Sequence, residues 1–357
     1  MVYVHVPFCR SFCIYCDFYS EIACRGKDAL AIKAYEESLL AEIDARRDEI
    51  LASRGLNTLY IGGGTPSVLP LSVLRDVVER LELGECEEFT IEVNPDDVVE
   101  RGEPYVRALA QLGVNRVSMG VQSLDDEVLR WMRRRHDSAA ALKAFSTLRA
   151  GGIENVSLDL IFGFPSLDDR RLEETVKHFV ELRPEHISAY QLSIESGSAL
   201  AGLVSKGEFE EASQEVCARQ YESICKALSE AGYHHYEISS WALPGREAVH
   251  NSAYWERLPY VGLGPGAHSF RGRVRSANSA TLPAWTATEE ILSLEEEREE
   301  RIMLSLRTSK GVDRSLCDGA VVDRLMRESC LEDCGEGKVR IPEDRFFVSD
   351  DIIEQLI

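Results

Sequence analysis

The protein is a chain of 357 residues with a formal net charge of −21. That length predicts one large domain and a smaller one. Hydrophobic residues make up 44% of the chain and charged residues 28%, values typical of a globular protein. No apolar stretch reaches the roughly 18 residues of a membrane-spanning helix, so we expect no integral membrane segment, and peripheral membrane contact stays open. The acidic excess disfavours a nucleic-acid partner.

The start of the chain predicts its compartment. It opens on Met1-Val2-Tyr3 without the basic and long apolar regions of a secretory signal, so we expect a cytoplasmic protein. Its ten cysteines are then expected to be reduced. Clustered cysteines in a reducing compartment indicate a metal or catalytic site rather than a disulfide framework.

Roughly the first 200 residues alternate short β-rich runs with longer amphipathic stretches, the pattern of βα units around a parallel sheet. The predicted strands are Val2–Val6, Thr58–Ile61, Phe89–Val93, Arg116–Met119, Val156–Ile161 and His186–Gln191. The predicted helices are Ala31–Arg54, Ser72–Leu83, Tyr105–Leu112 and Asp169–Leu182. Six such units predict an α/β fold with a partial (β/α)6 barrel resembling part of a TIM barrel, rather than all eight units.

The pattern changes after Gly207. A helix is predicted over Ser213–Ala231, followed by loops and short strands over Tyr233–Phe270. A highly charged helix is expected from about Glu289, and a last helix over Asp350–Ile357.

These changes predict two domains. Residues 1–283 form the barrel domain, in which the segment from about 207 to 283 closes the barrel. Residues 284–357 form a small, mostly helical C-terminal domain.

The strongest chemical signal is a group of three cysteines directly after the first strand. Cys9, Cys13 and Cys16 follow the pattern C-x3-C-x2-C. Three thiolates on one short loop can hold three irons of a [4Fe–4S] cubane and leave the fourth iron open to a ligand. A structural zinc site would need a fourth Cys or His nearby, and a ferredoxin array has a different spacing. The pattern therefore favours an open cluster.

Small and polar residues follow the next strands. Gly62, Gly63 and Gly64 follow the second strand, where missing side chains allow a ligand to approach the backbone, or form a plain strand-to-helix turn. Glu92 ends the third strand, and Gln122 follows the fourth. Because βα folds place their sites at the carboxyl ends of the strands, these groups indicate a binding site there.

The cysteine loop, with Tyr15 before its last cysteine, resembles the radical S-adenosylmethionine (SAM) superfamily. The resemblance implies a [4Fe–4S] cluster on the three cysteines and a SAM molecule at the open iron. Within it, Glu92, Gln122 and Asp159 are implied to bind the ribose hydroxyls and amino group of SAM, and Arg134 its carboxylate. The full SAM set implied in this way is Tyr3, Tyr15, Gly63, Gly64, Thr65, Glu92, Gln122, Arg134 and Asp159. Alternatively, the strand-end acids Glu92 and Asp159 cap the following helices, and Arg134 is a surface arginine.

Further motifs resemble the oxygen-independent coproporphyrinogen III oxidase group. They are Tyr3-Val-His5-Val-Pro7-Phe8-Cys9, Asp159-Leu-Ile161-Phe-Gly163-Phe-Pro165 and His186-Ile-Ser-Ala-Tyr190-Gln191-Leu192. The oxidases of that group continue the cysteine loop as C-x3-C-x2-C-x-C and carry an extra N-terminal arm. This chain reads Cys16-Asp17-Phe18 and begins at the first strand, so it is more similar to the HemW-type haem chaperone branch.

That branch carries the motif H-N-x-x-Y-W, present here as His250-Asn251-Ser252-Ala253-Tyr254-Trp255. The resemblance implies haem as cargo, with His250 as an axial ligand and Tyr254 and Trp255 as a stacking platform. Packing and hydrogen bonding are the alternative roles for these side chains.

Three functions follow from these patterns. The first is haem binding and delivery to acceptor proteins, and the second is oxidative decarboxylation of coproporphyrinogen III without oxygen. A tRNA-modifying radical enzyme would need a basic face, which the composition disfavours. The haem acceptor, the electron donor, the catalytic residues and radical formation from SAM are not specified by the sequence.

Overall fold

The core of the protein, in a computed structural model that describes residues 1–22 and 28–357, is a sheet built around six parallel strands in chain order. They are β1 (Val2–Val6), β2 (Thr58–Gly63), β3 (Glu88–Val93), β4 (Arg116–Gln122), β5 (Asn155–Phe162) and β6 (His186–Gln191). These bounds confirm the six predicted strands. Most of their residues are buried, as expected for parallel strands covered by helices.

Helices connect these strands as in βα units. They are α1 (Asp28–Ala45), α2 (Arg47–Ala52), α3 (Leu71–Leu81), α4 (Pro95–Gln111), α5 (Asp126–Trp131), α6 (Ser138–Ala150) and α7 (Asp169–Leu182). The predicted helix Ala31–Arg54 is therefore two helices. Helix α4 starts ten residues before the predicted Tyr105 and bends at Gly102, which has a φ of 66°.

Three further strands extend the sheet. They are β7 (His234–Glu237), β8 (Ser240–Ala242) and β9 (Val261–Leu263), giving the strand order β9-β1-β2-β3-β4-β5-β6-β8-β7. Strand β9 is parallel to β1, and β8 is antiparallel to β6. Within the described residues β9 and β7 lie at opposite edges, so the sheet is an open barrel, which confirms the predicted (β/α)6 fold class.

The strand register brings the carboxyl ends together. Val6, the last residue of β1, pairs with Gly63, the last residue of β2. Val93 at the end of β3 pairs with Met119 near the end of β4. Loops that follow these strands therefore meet at one end of the barrel.

The chain after β6 contains helices α8 (Ala199–Ser205), α9 (Gln214–Glu230) and α10 (Val249–Trp255). The charged helix predicted from about Glu289 is present, but it starts five residues later, at Leu294. A strand, Ala287–Ile291, comes first and pairs with Val274–Asn278. Helix α11 (Leu294–Leu306) starts after Ser293, where a capping box with Glu296 satisfies the first N–H groups.

The rest of the chain mixes helices with a small sheet. The helices are α12 (Gly319–Arg327) and α13 (Ser349–Ile353), so the predicted last helix Asp350–Ile357 is shorter than expected. Short strands lie at Phe8–Cys9, Glu21–Ile22, His268–Arg271, Val312–Asp313, Glu332–Gly335 and Lys338–Arg340, and 3-10 helices at Pro66–Val68, Arg314–Leu316 and Glu343–Val348.

The predicted domain boundary between residues 283 and 284 stays a prediction. Strands from both sides of it form one three-stranded sheet. Ile302, Leu306 and Phe346 are buried in the same hydrophobic core as the barrel.

Among the described residues, no helix combines the length and apolar character needed to cross a membrane.

Candidate functional site

The carboxyl ends of the strands surround a cavity of about 520 Å³. The loop after β1 and the ends of β2 to β6 all contribute to its wall. Eleven of the twelve residues predicted for the cluster and SAM line it, namely Cys9, Cys13, Tyr15, Cys16, Gly63, Gly64, Thr65, Glu92, Gln122, Arg134 and Asp159. Tyr3 does not line the cavity. Its ring lies 6.0 Å from that of Tyr60, which does.

The three cysteines stand on one loop at this cavity. Cys9 is buried, and its Sγ lies 3.3 Å from the hydroxyl oxygen of Thr65. Cys13 and Cys16 are half-buried, and the Arg134 guanidinium donates to the Sγ of Cys13 at 3.3 Å. Burial raises the pKa of the Cys9 thiol, and the nearby Arg134 guanidinium partly opposes that shift.

The side chains of the three cysteines do not converge on one point. Within residues 1–22 and 28–357, no three His, Cys, Asp or Glu side chains converge on one metal ion. Thiolates that hold a cubane bind different irons and need no common centre. The cluster on Cys9, Cys13 and Cys16 stays a prediction, with which this arrangement agrees.

The glycine loop lies directly against the cysteine loop. Gly63 has a φ of 105°, and a Cβ there would lie 2.5 Å from the His5 ring. A Cβ on Gly64 would lie 2.8 Å from the carbonyl oxygen of Phe8, while its N–H donates to the carbonyl of Val6 at 2.8 Å. Only glycine fits this approach between the backbones of the two loops.

Two buried carboxyl groups face the interior of the cavity. Glu92 accepts hydrogen bonds from the Tyr60 hydroxyl at 2.8 Å and the Gly63 N–H at 3.0 Å. Burial raises the pKa of Glu92 to about 7. Burial also raises the pKa of Asp159 to about 6, although the Arg116 guanidinium and the Ser118 hydroxyl oppose the shift.

Opposite the acids, Arg134 donates to the Asn94 side-chain oxygen at 2.7 Å and to the carbonyl of Gly120. The Nε of Arg134 and the Oε1 of Gln122 are buried without a hydrogen-bond partner. Gln122 also has a positive φ of 69°, uncommon for a residue with a side chain. Because buried polar atoms are normally paired, these two atoms fit a polar ligand such as SAM.

The H-N-x-x-Y-W segment lies at the other end of the barrel. His250 is fully buried, and its Nδ1 and Nε2 form hydrogen bonds with the Thr58 hydroxyl at 2.8 Å and the Tyr254 hydroxyl at 2.9 Å. Burial lowers the pKa of His250 to about 3. Tyr254 and Trp255 are half-buried and do not line the cavity, whereas Asn251 does. The structure thus does not bring the three residues predicted for haem to the cluster loop.

Sequence reasoning missed several polar residues of the cavity, among them Tyr60, Asn94 and Arg116. Tyr60 bonds to Glu92, and Asn94 bonds to Arg134. Arg116 lies buried in the wall with long contacts to Thr90 at 3.4 Å and to Glu88 at 4.0 Å. The period of two along β2 was an available signal, because it places Thr58, Tyr60 and Gly62 on one face.

The other cysteines lie outside the cavity. Cys217 is buried, while Cys86, Cys225, Cys317 and Cys330 pack against the core at its edge. Cys334 is half-buried in the C-terminal segment. Cys24 lies outside the described part of the chain.

The family model described as "Radical SAM superfamily" matches residues 3–179. The chain is 34% identical over 322 residues to "Heme chaperone HemW" of Lactococcus lactis, covering 87% of this chain and 82% of that protein. It is 34% identical over 331 residues to "Heme chaperone HemW" of Bacillus subtilis, covering 87% and 84%.

Among solved structures, coproporphyrinogen III oxidase of Escherichia coli, titled a radical SAM enzyme, matches with a TM-score of 0.79. The match covers 99% of this chain and 89% of that one at 20% identity, so it shows similarity of fold alone. Membership of the superfamily implies a [4Fe–4S] cluster and SAM. On the family match and the two close relatives, this chain belongs to the radical SAM superfamily and, within it, to the HemW family.

Proposed function

We propose that this protein binds haem and delivers it to acceptor proteins, with a [4Fe–4S] cluster on Cys9, Cys13 and Cys16. The observation that carries the proposal is the similarity to haem chaperones over 87% of the chain. The cysteine loop agrees with it, because Phe18 stands where the oxidases of the related group have a fourth cysteine.

The residues of the cavity suit SAM. Gly63 and Gly64 expose backbone groups, and Glu92 and Asp159 offer carboxylate oxygens to ribose hydroxyls or an ammonium group. Arg134 offers a guanidinium fork to the SAM carboxylate, next to the Gln122 Oε1 that lacks a partner. Cys9, Cys13 and Cys16 would hold the cluster, which would supply the electron for reductive cleavage of SAM, and release of 5′-deoxyadenosine would measure that activity.

The haem ligand stays a prediction. For His250 to bind iron, one ring nitrogen must give up its bond to Thr58 or Tyr254, and the fully buried ring must become accessible. Tyr254 and Trp255 are the half-buried part of the segment, so they are better placed to contact a macrocycle.

The experiment uses the full chain, reconstituted anaerobically with iron and sulfide. Haem is titrated in with and without SAM, and the loaded protein is mixed with an apo-haemoprotein acceptor. In parallel, coproporphyrinogen III is supplied with SAM and a reductant. We expect stoichiometric haem binding, transfer to the acceptor and no decarboxylation. Turnover of coproporphyrinogen III without haem transfer would support the oxidase and contradict the proposal.

A further inference from the structure

We propose that the H-N-x-x-Y-W segment, from the amino ends of the strands, positions a side chain of the SAM site. His250 holds the ring of Tyr60 in place, and the Tyr60 hydroxyl orients Glu92. This inference rests on the proposed SAM site. It assigns His250 a positioning role, distinct from the iron ligation that the sequence predicted.

The segment is fixed to the amino ends of the barrel strands. The N–H groups of Val249 and His250 donate to the carboxylate of Glu88, the first residue of β3, at 2.8 and 2.9 Å. Thr58, the first residue of β2, bonds to the His250 ring. Strand β2 has six residues, so at about 3.3 Å per residue Thr58 lies roughly 16 Å from Gly63 at the cluster end.

From this position His250 supports Tyr60. The two ring centroids lie 5.3 Å apart, and the Tyr3 ring lies 6.0 Å from Tyr60. Tyr60 is mostly buried, so these rings restrict its orientation. The neighbouring Gly62 has no room for a side chain, since a Cβ there would lie 2.7 Å from the Tyr60 ring and 2.8 Å from Glu92 Oε1.

Tyr60 in turn acts on Glu92. Its hydroxyl donates to Glu92 Oε1 at 2.8 Å, and this bond favours the ionised carboxylate against the effect of burial. Glu92 is surrounded by charged and titratable groups from several elements, namely Tyr3 on β1, Tyr60 on β2, Arg116 on β4, Asp159 on β5 and Tyr254 on α10. Arg116 favours the ionised form of Glu92, and Asp159 disfavours it.

The order of contacts therefore runs from α10 through His250 and Tyr60 to Glu92, a residue of the SAM cavity. The ring nitrogens of His250 are both engaged in holding this arrangement. A change at His250 is expected to reach SAM, although the two sites lie at opposite ends of β2.

The test measures SAM affinity by calorimetry between pH 6 and 8.5, using the reconstituted full chain. Tyr60→Phe keeps the ring but removes the donor, so we expect affinity at pH 7 to fall by about three- to tenfold. The pH midpoint of SAM binding should shift upward. His250→Phe should shift both quantities in the same direction, and the double variant should be no worse than the weaker-binding single variant.

Milder variants guard against misfolding. Thr58→Val and Tyr254→Phe each remove one partner of His250 with little change in shape, and each should reproduce part of the effect. The matched control is His235→Phe, because His235 is also a buried histidine. Its ring stacks on that of Trp241 with centroids 4.1 Å apart, and it does not line the cavity. Its SAM affinity and pH midpoint should equal those of the wild type.

The Soret spectrum of the haem-loaded variants separates the two roles of His250. Normal SAM binding by His250→Phe, together with an altered Soret band, would overturn the positioning role and support iron ligation. The positioning role would also be overturned if every variant bound SAM with the wild-type affinity at every pH. Absence of SAM binding by the wild-type protein would instead overturn the SAM site of the proposed function.

Discussion

At the scale of single residues, the cysteines of the loop after β1 carry the first prediction. Changing Cys9, Cys13 or Cys16 to Ala should abolish the iron–sulfur absorption after anaerobic reconstitution, because each thiolate is expected to bind a different iron. Cys330→Ala and Cys334→Ala are the controls, since both residues lie in the C-terminal segment outside the cavity. Loss of absorption in these controls would place the cluster elsewhere.

Arg134 carries the second prediction. Arg134→Gln removes a charged donor from a mostly buried position, which costs about 1.5–3 kcal/mol and lowers SAM affinity about ten- to a hundredfold. Iron content should stay near the wild-type value, because Cys13 keeps its thiol. The measurement is calorimetric SAM binding beside an iron assay. SAM affinity equal to that of wild type would reject the carboxylate assignment.

Glu92 carries the third prediction, which concerns pH. Burial raises its pKa to about 7, so below pH 7 most of the SAM-free protein holds a neutral Glu92. If SAM binds to the ionised form, its affinity should rise as the pH increases through 7 and level off above it. Titrations from pH 6.5 to 8.5 measure this change, and Glu92→Gln should remove it. A flat profile for the wild type would exclude an ionised Glu92 as ligand.

At the scale of elements, the close contact between the cysteine loop and the glycine loop carries the fourth prediction. A Cβ on Gly64 would meet the carbonyl oxygens of Phe8 and Val6 at 2.8 and 2.9 Å. Backbone atoms cannot yield as a flexible side chain does, so Gly64→Ala should lower both the melting temperature and the reconstituted iron content.

The control for this change is Gly55→Ala. Nothing lies within 4 Å of a Cβ built at Gly55. The two variants are compared by thermal melting and iron assay. If Gly64→Ala matched Gly55→Ala in both measurements, the loops would not be held by this contact.

The elements also differ in how well their own sequence predicts their secondary structure. The six barrel strands combine β-branched or aromatic residues with burial, so local pattern and tertiary packing agree. Ala287–Ile291 is exposed and rich in Glu, which resembles a helix start, yet pairing with Val274–Asn278 makes it a strand. Its conformation comes from a partner strand, which no local pattern encodes.

At the scale of the whole molecule, the packing of the C-terminal segment on the barrel carries the fifth prediction. Phe346 is 2% exposed and contacts the ring of His235 edge-on, with centroids 4.9 Å apart. Phe346→Ala should therefore cost about 3–5 kcal/mol and shift a single unfolding transition of the entire chain. Denaturant unfolding followed by circular dichroism measures it.

Val348→Ala is the matched control, since Val348 lies two residues further along and is 40% exposed. Its transition should stay near that of the wild type. A separate early transition that Phe346→Ala alone affects would mean that residues 284–357 unfold as an independent domain.

The sequence by itself predicted the barrel, the cysteine loop and a polar cavity at the carboxyl ends of the strands. Their signals are local, because thiolates at fixed spacing and polar residues at strand ends follow directly from chain order. Tertiary structure decided the surroundings of His250, since Thr58 and Glu88 reach it from positions more than 160 residues away. Burial and hydrogen-bond partners at such separation arise only when the strands assemble, and they place the predicted ligand His250 in a buried position beside Tyr60.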